Sequence, residues 1–282
     1  MASDRPSRLY DAYYFAHGCG EPYQRSEIWL TLFNSFAERI QRDINPASVL
    51  DAGCAMGFLV ETLRQRGVEA WGVDISAYAI GQLAPQIQPY CWLGSVTEPF
   101  PRTYDLIVSI EVLEHLSPQQ AEQAVENLCR HSEDILFSST PFDYKEVSHF
   151  NVQPPEYWAE LFARLNFFRD VDFDASFITP WAVRFRRKQE PLHRLVRDYE
   201  RRFWQLWKEN TDLRALSLDL RDELAALTQA SPGVQPTEGP LNPDREAGWS
   251  RNARRFVSKG WRALLRKLRL PPASRSENPD RT

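Results

Sequence analysis

Between Ser48 and Arg187 short apolar runs alternate with segments of helical periodicity, and this alternation restricts the possible folds more than any other feature of the chain. Ser48–Ala52, Ala70–Ile75, Tyr90–Gly94, Leu106–Ile110 and Ile135–Ser139 read as strands. Gly57–Arg66, Ser76–Leu83, Pro118–His131 and a segment from Pro154-Pro155 through Leu165 read as the helices between them. Two late strands, near Val171–Phe173 and Ala182–Arg187, complete the set. Strands that alternate with helices of this length predict an α/β domain with a doubly wound, mostly parallel, seven-stranded sheet. Leu106-Ile107-Val108 has no polar alternation, as a strand buried on both faces requires. A helix precedes the first strand, with Ile28, Leu32, Phe36 and Ile40 on one face and Asn45-Pro46 as its stop.

The flanks obey other rules. Residues 1–26 form a Tyr-, Gly- and Pro-rich stretch that reads as an ordered irregular arm, and the α/β domain occupies 27–188. From Leu192 to Leu227 a 4-3 spacing picks out Leu192, Val196, Tyr199, Phe203, Leu206, Asn210, Leu213, Ser217, Leu220, Leu224 and Leu227. This seam predicts a coiled coil over 189–229 and a homodimer through it, with Asn210 setting register and Glu209 and Arg214 placed for an interchain pair. A long helix folded back on the domain is the other arrangement this pattern allows. Residues 230–248 read as a Pro/Gly-rich linker and 271–282 as a disordered tail. Between them, Trp249–Leu270 carries eight Lys and Arg and no acid, with Val257, Trp261, Leu264, Leu265 and Leu268 on one face. That composition suits an amphipathic helix on an anionic membrane surface or on an acidic protein partner.

Charge excludes some functions. The 282 residues hold 34 Lys and Arg against 38 Asp and Glu, a net charge of −4, which argues against a nucleic-acid binder. No apolar run is long enough to cross a membrane and the first ten residues lack a secretory pattern, so the expected location is cytoplasmic, and the basic segment 249–270 adds a peripheral place on the inner face of the plasma membrane as one option. Cys19, Cys54, Cys91 and Cys129 form no Cys-x-x-Cys pair and do not stand at zinc-finger spacing from the five histidines, so they read as reduced thiols, with no metal site.

Chemistry concentrates at Val49-Leu50-Asp51-Ala52-Gly53-Cys54-Ala55-Met56-Gly57, where a strand turns into a helix. Glycine there lets backbone approach a ligand, and the helix start offers free N–H groups. Alone, such a turn also fits a plain tight turn or a dinucleotide-dependent dehydrogenase. The second strand ends in Gly72-Val73-Asp74-Ile75-Ser76, and an acid at that place can accept from ribose hydroxyls.

Over roughly residues 45–187 these features resemble class I S-adenosylmethionine-dependent methyltransferases, with their Rossmann-like fold. Asp51-Ala52-Gly53-Cys54-Ala55-Met56-Gly57 is similar to the family's first motif and Asp74 to its ribose-binding acid. Tyr104-Asp105-Leu106-Ile107-Val108-Ser109 is similar to its fourth strand, and Glu111-Val112-Leu113-Glu114-His115-Leu116 to the segment after that strand. Ile135-Leu136-Phe137-Ser138-Ser139-Thr140-Pro141 is similar to the fifth. The resemblance implies S-adenosylmethionine as cofactor. It implies that Gly53, Cys54, Ala55 and Gly57 border its methionine part, that Asp51 orients the ammonium, and that Asp74 and Ile75 bind the ribose. Ser95 and Val96 would border adenine, and Ser109 and Ile110 would lie beneath the sulfonium. Two positions depart from the pattern. Ala55 stands where Gly is frequent, tolerable if φ stays negative, and Ser95 stands where an acid is frequent.

The reaction this implies is attack on the sulfonium methyl, with a protein base for a hydroxyl acceptor. His149, in the loop after the fifth strand, His115 and Glu111 are the base candidates, weighed against structural roles for each. The Asp/Asn-Pro-Pro-Tyr signature of amino-group methylation and the Pro-Cys of cytosine methylation are both missing, which favours a hydroxyl acceptor. The arm, the Gly turn and His149-Phe150-Asn151 look like bacterial methyltransferases of surface-polysaccharide synthesis. That likeness implies a sugar or lipid-linked glycan substrate, a glycosyltransferase partner, and an arm that closes with Tyr14, Tyr23 and Arg25 on the cofactor. The alternatives are a soluble acceptor (a phenol, quinone precursor or nucleotide sugar) and a non-catalytic scaffold acting through its coil.

Overall fold

The computed structural model describes residues 9–18 and 21–230. The segments at 231–248, 249–270 and 271–282, and the Cys19-Gly20 part of the arm, lie outside the described residues. In chain order the elements are α1 (Ala12–His17), α2 (Glu27–Asp43), β1 (Ser48–Ala52), α3 (Phe58–Gln65), β2 (Glu69–Asp74), α4 (Ala77–Gly81), β3 (Cys91–Leu93), β4 (Leu106–Ile110), α5 (Pro118–His131), β5 (Asp134–Ser138), α6 (Pro155–Arg164), β6 (Phe167–Arg169), β7 (Val183–Arg187) and α7 (Leu192–Ala230).

The seven strands form one sheet in the order β3-β2-β1-β4-β5-β7-β6. Pairs from β3 through β5 are parallel, and β7 runs antiparallel to both β5 and β6. Alternate side chains feed two cores. Val49, Leu106 and Val108 pack with α2 and α3 residues such as Phe36 and Leu63, while Leu50, Ile107 and Ile135 pack with Leu128 of α5 and Phe162 of α6. Burial on both faces is why β1 and β4 are apolar without alternation. The order reverses between β1 and β4, so their C-terminal ends flank the crevice where such sheets bind ligands.

Local chemistry sets the boundaries. The Ser26 hydroxyl accepts from Trp29 N–H at the start of α2, and Ser117 with Gln120 forms a reciprocal cap on α5. Two expectations are corrected. The arm is not irregular throughout: Asp11 Oδ1 accepts from the N–H groups of Tyr13 and Tyr14 at 2.9 and 3.1 Å and starts the short helix α1. The first late strand lies at Phe167–Arg169 rather than Val171–Phe173. Asn166, at φ 64°, ends the preceding helix, so the strand starts at once, and Asp170 and Asp174 accept from backbone N–H groups two residues on, which breaks strand geometry there.

α7 is one continuous helix of 39 residues. Leu195 is buried at its root, and Arg201 pairs with Asp172 through both carboxylate oxygens at 2.7–2.8 Å. From Phe203 onward its large apolar residues, including Leu206, Leu213, Leu220, Leu224 and Leu227, are exposed, so this seam is not folded back onto the domain. Among the described residues no helix is long and apolar enough to cross a membrane.

Candidate active site at the crevice

The turn after β1 is built by backbone. Gly53 and Cys54 both donate N–H to the Val73 carbonyl, at 2.8 and 3.0 Å, which pins the turn against β2. Gly53 has φ 94° and Gly57 φ 72°, conformations open to glycine. Neither position has space for a side chain. A Cβ on Gly53 would run into Val112, and one on Gly57 would stand 2.6 Å from Ile87 Cδ1. Ala55 lies between them at φ 46°, so the condition under which its methyl is harmless is not met: this alanine is itself left-handed. The Cys54 side chain is buried against Gly72, leaving its backbone to border any ligand.

Asp74 organises the other wall. Its Oδ2 accepts from Ala55 N–H at 2.8 Å and its Oδ1 from Ser76 N–H at 2.7 Å, and Ile75 N–H adds a further bond. Each carboxylate oxygen keeps lone-pair capacity for a ribose hydroxyl. Burial raises the Asp74 carboxyl, against the lowering effect of these backbone bonds. Burial and then the Asp74 charge push Asp51 up to about 8. No basic side chain among the described residues forms a salt bridge with either acid. Two buried acids with no protein cation beside them fit a ligand that brings a positive charge and a diol, which are the ammonium and ribose of S-adenosylmethionine.

At the adenine end, Ser95 Oγ is engaged with Thr97, to whose hydroxyl it lies at 2.8 Å and from whose N–H it accepts at 3.2 Å. The Val96 side chain belongs to the core and its carbonyl is held by Asn127 Nδ2 at 2.9 Å, so the segment is fixed by α5 and offers mainly backbone. Ser109 is fully buried with its hydroxyl unpartnered, and Ile110 is half-buried at the end of β4.

Side chains build the opposite end, beyond β4 and β5. Glu111 sits at φ 54°, and its Oε1 accepts from the Trp181 indole N–H at 2.9 Å and from the Ser138 hydroxyl. Glu114 is fully buried; Oε1 accepts from Thr140 N–H at 3.3 Å and Oε2 has no partner. Burial raises both carboxyls, with Glu111 raising Glu114 further. The His115 and His149 rings meet edge to face at 4.6 Å between centroids. His115 Nδ1 donates to the Ser148 carbonyl at 3.1 Å, and His149 Nδ1 to the Asp143 carbonyl at 2.8 Å. Burial, and then the nearby His149, bring His115 down to about 4, so it is neutral at physiological pH. The structure thus brings Glu111, His115 and His149 together, and adds Glu114, Ser138 and Trp181, which the sequence reading did not select. Glu114 had a usable signal, its spacing of three from Glu111; Trp181 had none.

The arm lies across this crevice. The Ser76 hydroxyl donates to the Tyr10 carbonyl at 2.6 Å, and the Tyr10 ring meets His115 edge-on at 5.5 Å. Tyr14 packs on Tyr10 at 5.0 Å and near His115 at 6.2 Å. Tyr10, whose hydroxyl is raised by burial and by Glu146, Asp74 and Glu114, bridges both ends, and only its place in the Tyr-rich arm marked it. Two expected cofactor contacts, Tyr23 and Arg25, have partners within the protein. Tyr23 stacks on Phe58 at 5.1 Å and meets the tilted Trp29 ring at 4.7 Å, half-buried against the aromatic core. Arg25 gives both terminal nitrogens to the buried Glu61, one of them at 2.7 Å, and so acts as a strut between arm and α3.

The chain is similar to several known proteins. A ubiquinone biosynthesis O-methyltransferase from Azoarcus sp. (strain BH72) is 30% identical over 125 residues, covering 41% of this chain and 53% of that protein. Its counterpart from Photorhabdus laumondii is 28% identical over 100 residues, covering 32% and 42%. The chain spans about half the length of these curated relatives. The crystal structure of magnesium protoporphyrin IX methyltransferase from Synechocystis PCC 6803 with bound S-adenosylmethionine has the same fold, with a TM-score of 0.50, 17% identity, and coverage of 67% of this chain and 100% of that one. The family model for a methyltransferase domain matches residues 23–171, more than half of the chain. The chain belongs to that family, as an S-adenosylmethionine-dependent methyltransferase.

Proposed function

We propose that the chain methylates a hydroxyl of a small, soluble, ring-bearing molecule of the phenol or quinone-precursor type. The observation that carries this reading is the cluster of Glu111, Glu114, His115 and His149 beyond β4 and β5, roofed by Tyr10 and Tyr14. It offers acceptors to a hydroxyl proton and aromatic faces to a flat ring. Two relatives bearing the name ubiquinone biosynthesis O-methyltransferase support the same acceptor class over the glycan expected from sequence.

In this reading the bound S-adenosylmethionine supplies an electrophilic methyl group on a sulfonium sulfur. Asp74 holds the ribose, Asp51 meets the ammonium, and Gly53 and Gly57 keep the turn narrow enough for backbone contact. Glu111, fixed by Trp181 and Ser138, and the histidines orient the acceptor oxygen and take up its proton. The arm excludes water.

Transfer of labelled methyl to a panel of catechols, monophenols and nucleotide sugars tests this directly. Catechols are expected to react at least about tenfold faster than the sugars; the reverse order restores the glycan reading. The exposed seam of α7 supports a homodimer as well. Truncation at Lys188 is expected to convert a dimer to a monomer in light scattering, and a truncated dimer removes the coil.

A further inference from the structure

We propose that Glu114, His115 and His149 form a divalent-cation site at the acceptor end of the crevice. Each offers one ligand atom, and these atoms lie within 4.8 Å of one another. Ligand bonds of about 2.0–2.1 Å put tetrahedral donor atoms about 3.3 Å apart, so binding draws the three donors together.

The hydrogen bonds around the cluster set the donors in advance. Both imidazoles donate Nδ1–H to a backbone carbonyl, His115 to Ser148 and His149 to Asp143. In the neutral form of either ring this leaves the free lone pair on Nε2. Glu114 is fully buried, and its Oε2 has no hydrogen-bond partner. An orphaned buried carboxylate oxygen costs free energy unless a donor or a cation meets it. His149 Nε2 also stands 3.5 Å from Glu146 Oε2. A cation bound by Glu114, His115 and His149 supplies the Glu114 carboxylate with a partner.

Two imidazole nitrogens and one carboxylate suit Zn²⁺, Co²⁺, Mn²⁺ or Fe²⁺ better than Mg²⁺ or Ca²⁺, and three protein ligands leave a position open. A second grouping, Asp143, Glu146 and His149, shares one histidine. Its acids are only half-buried, so water meets the oxygens left free when Asp143 Oδ1 accepts from Lys145 N–H at 3.2 Å and Glu146 Oε1 from the Ser148 hydroxyl at 2.7 Å. The orphaned oxygen therefore favours Glu114. Resting on the hydroxyl-acceptor reading, the open position takes the acceptor oxygen. The coordinated hydroxyl passes its proton to Glu111, the base this assignment leaves free, and attacks the sulfonium methyl; the C–S bond breaks and its electron pair stays on sulfur. His149 is then a ligand and not a base.

The full chain, stripped by chelator and titrated with Co²⁺, tests the site by calorimetry and by the visible absorption of bound cobalt. One equivalent is expected to bind, with affinity reduced at least about 100-fold in His149→Ala and about tenfold or more in Glu114→Gln. Glu146→Gln is expected to keep the cobalt spectrum. Retained S-adenosylhomocysteine binding shows that each variant is folded. Absent cobalt binding overturns the site, as does equal binding in Glu114→Gln and His149→Ala. Loss in Glu146→Gln with retention in Glu114→Gln overturns it in favour of the loop grouping. Cobalt binding without phenol methylation leaves the site standing and removes only the acceptor reading. Undiminished methylation by chelated, cation-free protein removes the site's role and leaves that reading standing.

Discussion

The two ends of the crevice are built from different materials. The cofactor end is backbone: left-handed residues at 53, 55 and 57 and N–H groups converging on Val73 and Asp74, all within two consecutive strand–turn units. The acceptor end is side chain: acids after β4, hydroxyls at the end of β5, a histidine from the following loop and an indole just before β7. A backbone-built site tolerates little variation in shape, because its geometry is set by φ values and not by rotamers. A side-chain-built site can change its chemistry by single substitutions without disturbing the sheet, which is how one fold serves many acceptors.

The sharpest way to break this contrast is Asp74→Ala. It removes the acceptor for Ala55 and Ser76 together with the ribose anchor. Hydrogen bonds to a charged group are worth about 1.5–3 kcal/mol each, so affinity for S-adenosylhomocysteine is expected to fall at least about 100-fold in calorimetry. An unchanged affinity removes the ribose assignment.

Asp51 supplies the next test. Its folded carboxyl titrates near 8, against 3.8 for the ordinary group, so it is protonated in the ligand-free protein at neutral pH. Below about pH 8 the folded state holds a proton that the unfolded chain has lost, so this group's contribution to stability declines as pH rises from about 4 to 8. Meeting an ammonium favours the ionised form, so cofactor binding releases that proton. Affinity is expected to rise with pH up to about 8, by at most about tenfold per unit. Calorimetry in buffers of different ionisation enthalpy reads the released proton; none released means that Asp51 does not face the ammonium.

Trp181→Phe probes the side-chain end alone. It keeps the ring and deletes the N–H that holds Glu111. As a positioning residue, Trp181 is expected to lower kcat for methyl transfer about fivefold while leaving the KM for the cofactor unchanged. A change confined to that KM would mean that Glu111 serves the cofactor end.

The same contrast decides what could be read from the chain. β1 and β4 match the expected strands residue for residue, because both are buried on two faces and admit no polar register. The Gly turn and Asp74 were legible because their geometry is local and uses residue types that signal it. β6 was misplaced because β-rich aromatic residues occur on both sides of Asp170, and only the left-handed Asn166 and pairing with β7 choose between them. Trp181 owes its role to the meeting of distant segments, which no short-range spacing encodes. Tyr23 and Arg25 were assigned to the cofactor by resemblance; the partners they have are Phe58 and Glu61 on α3, a pairing that no local pattern announces.

Ala55 carries the smallest and most diagnostic effect. A left-handed alanine costs about 1–2 kcal/mol, and replacing it by glycine returns that strain but adds chain entropy of about 0.4–1 kcal/mol to the unfolded state. The Ala55 methyl also packs partly against the core, which subtracts a little more. The balance is a net gain below about 1 kcal/mol, or a rise of about 1–3 °C in Tm for Ala55→Gly in a domain of this size. Differential scanning calorimetry measures it. A rise means that the turn holds its shape against a real strain, kept in place by the Ala55 N–H bond to Asp74. A fall means that the methyl contributes more by packing than it costs in backbone, and that the cofactor end, too, is partly built by side chains.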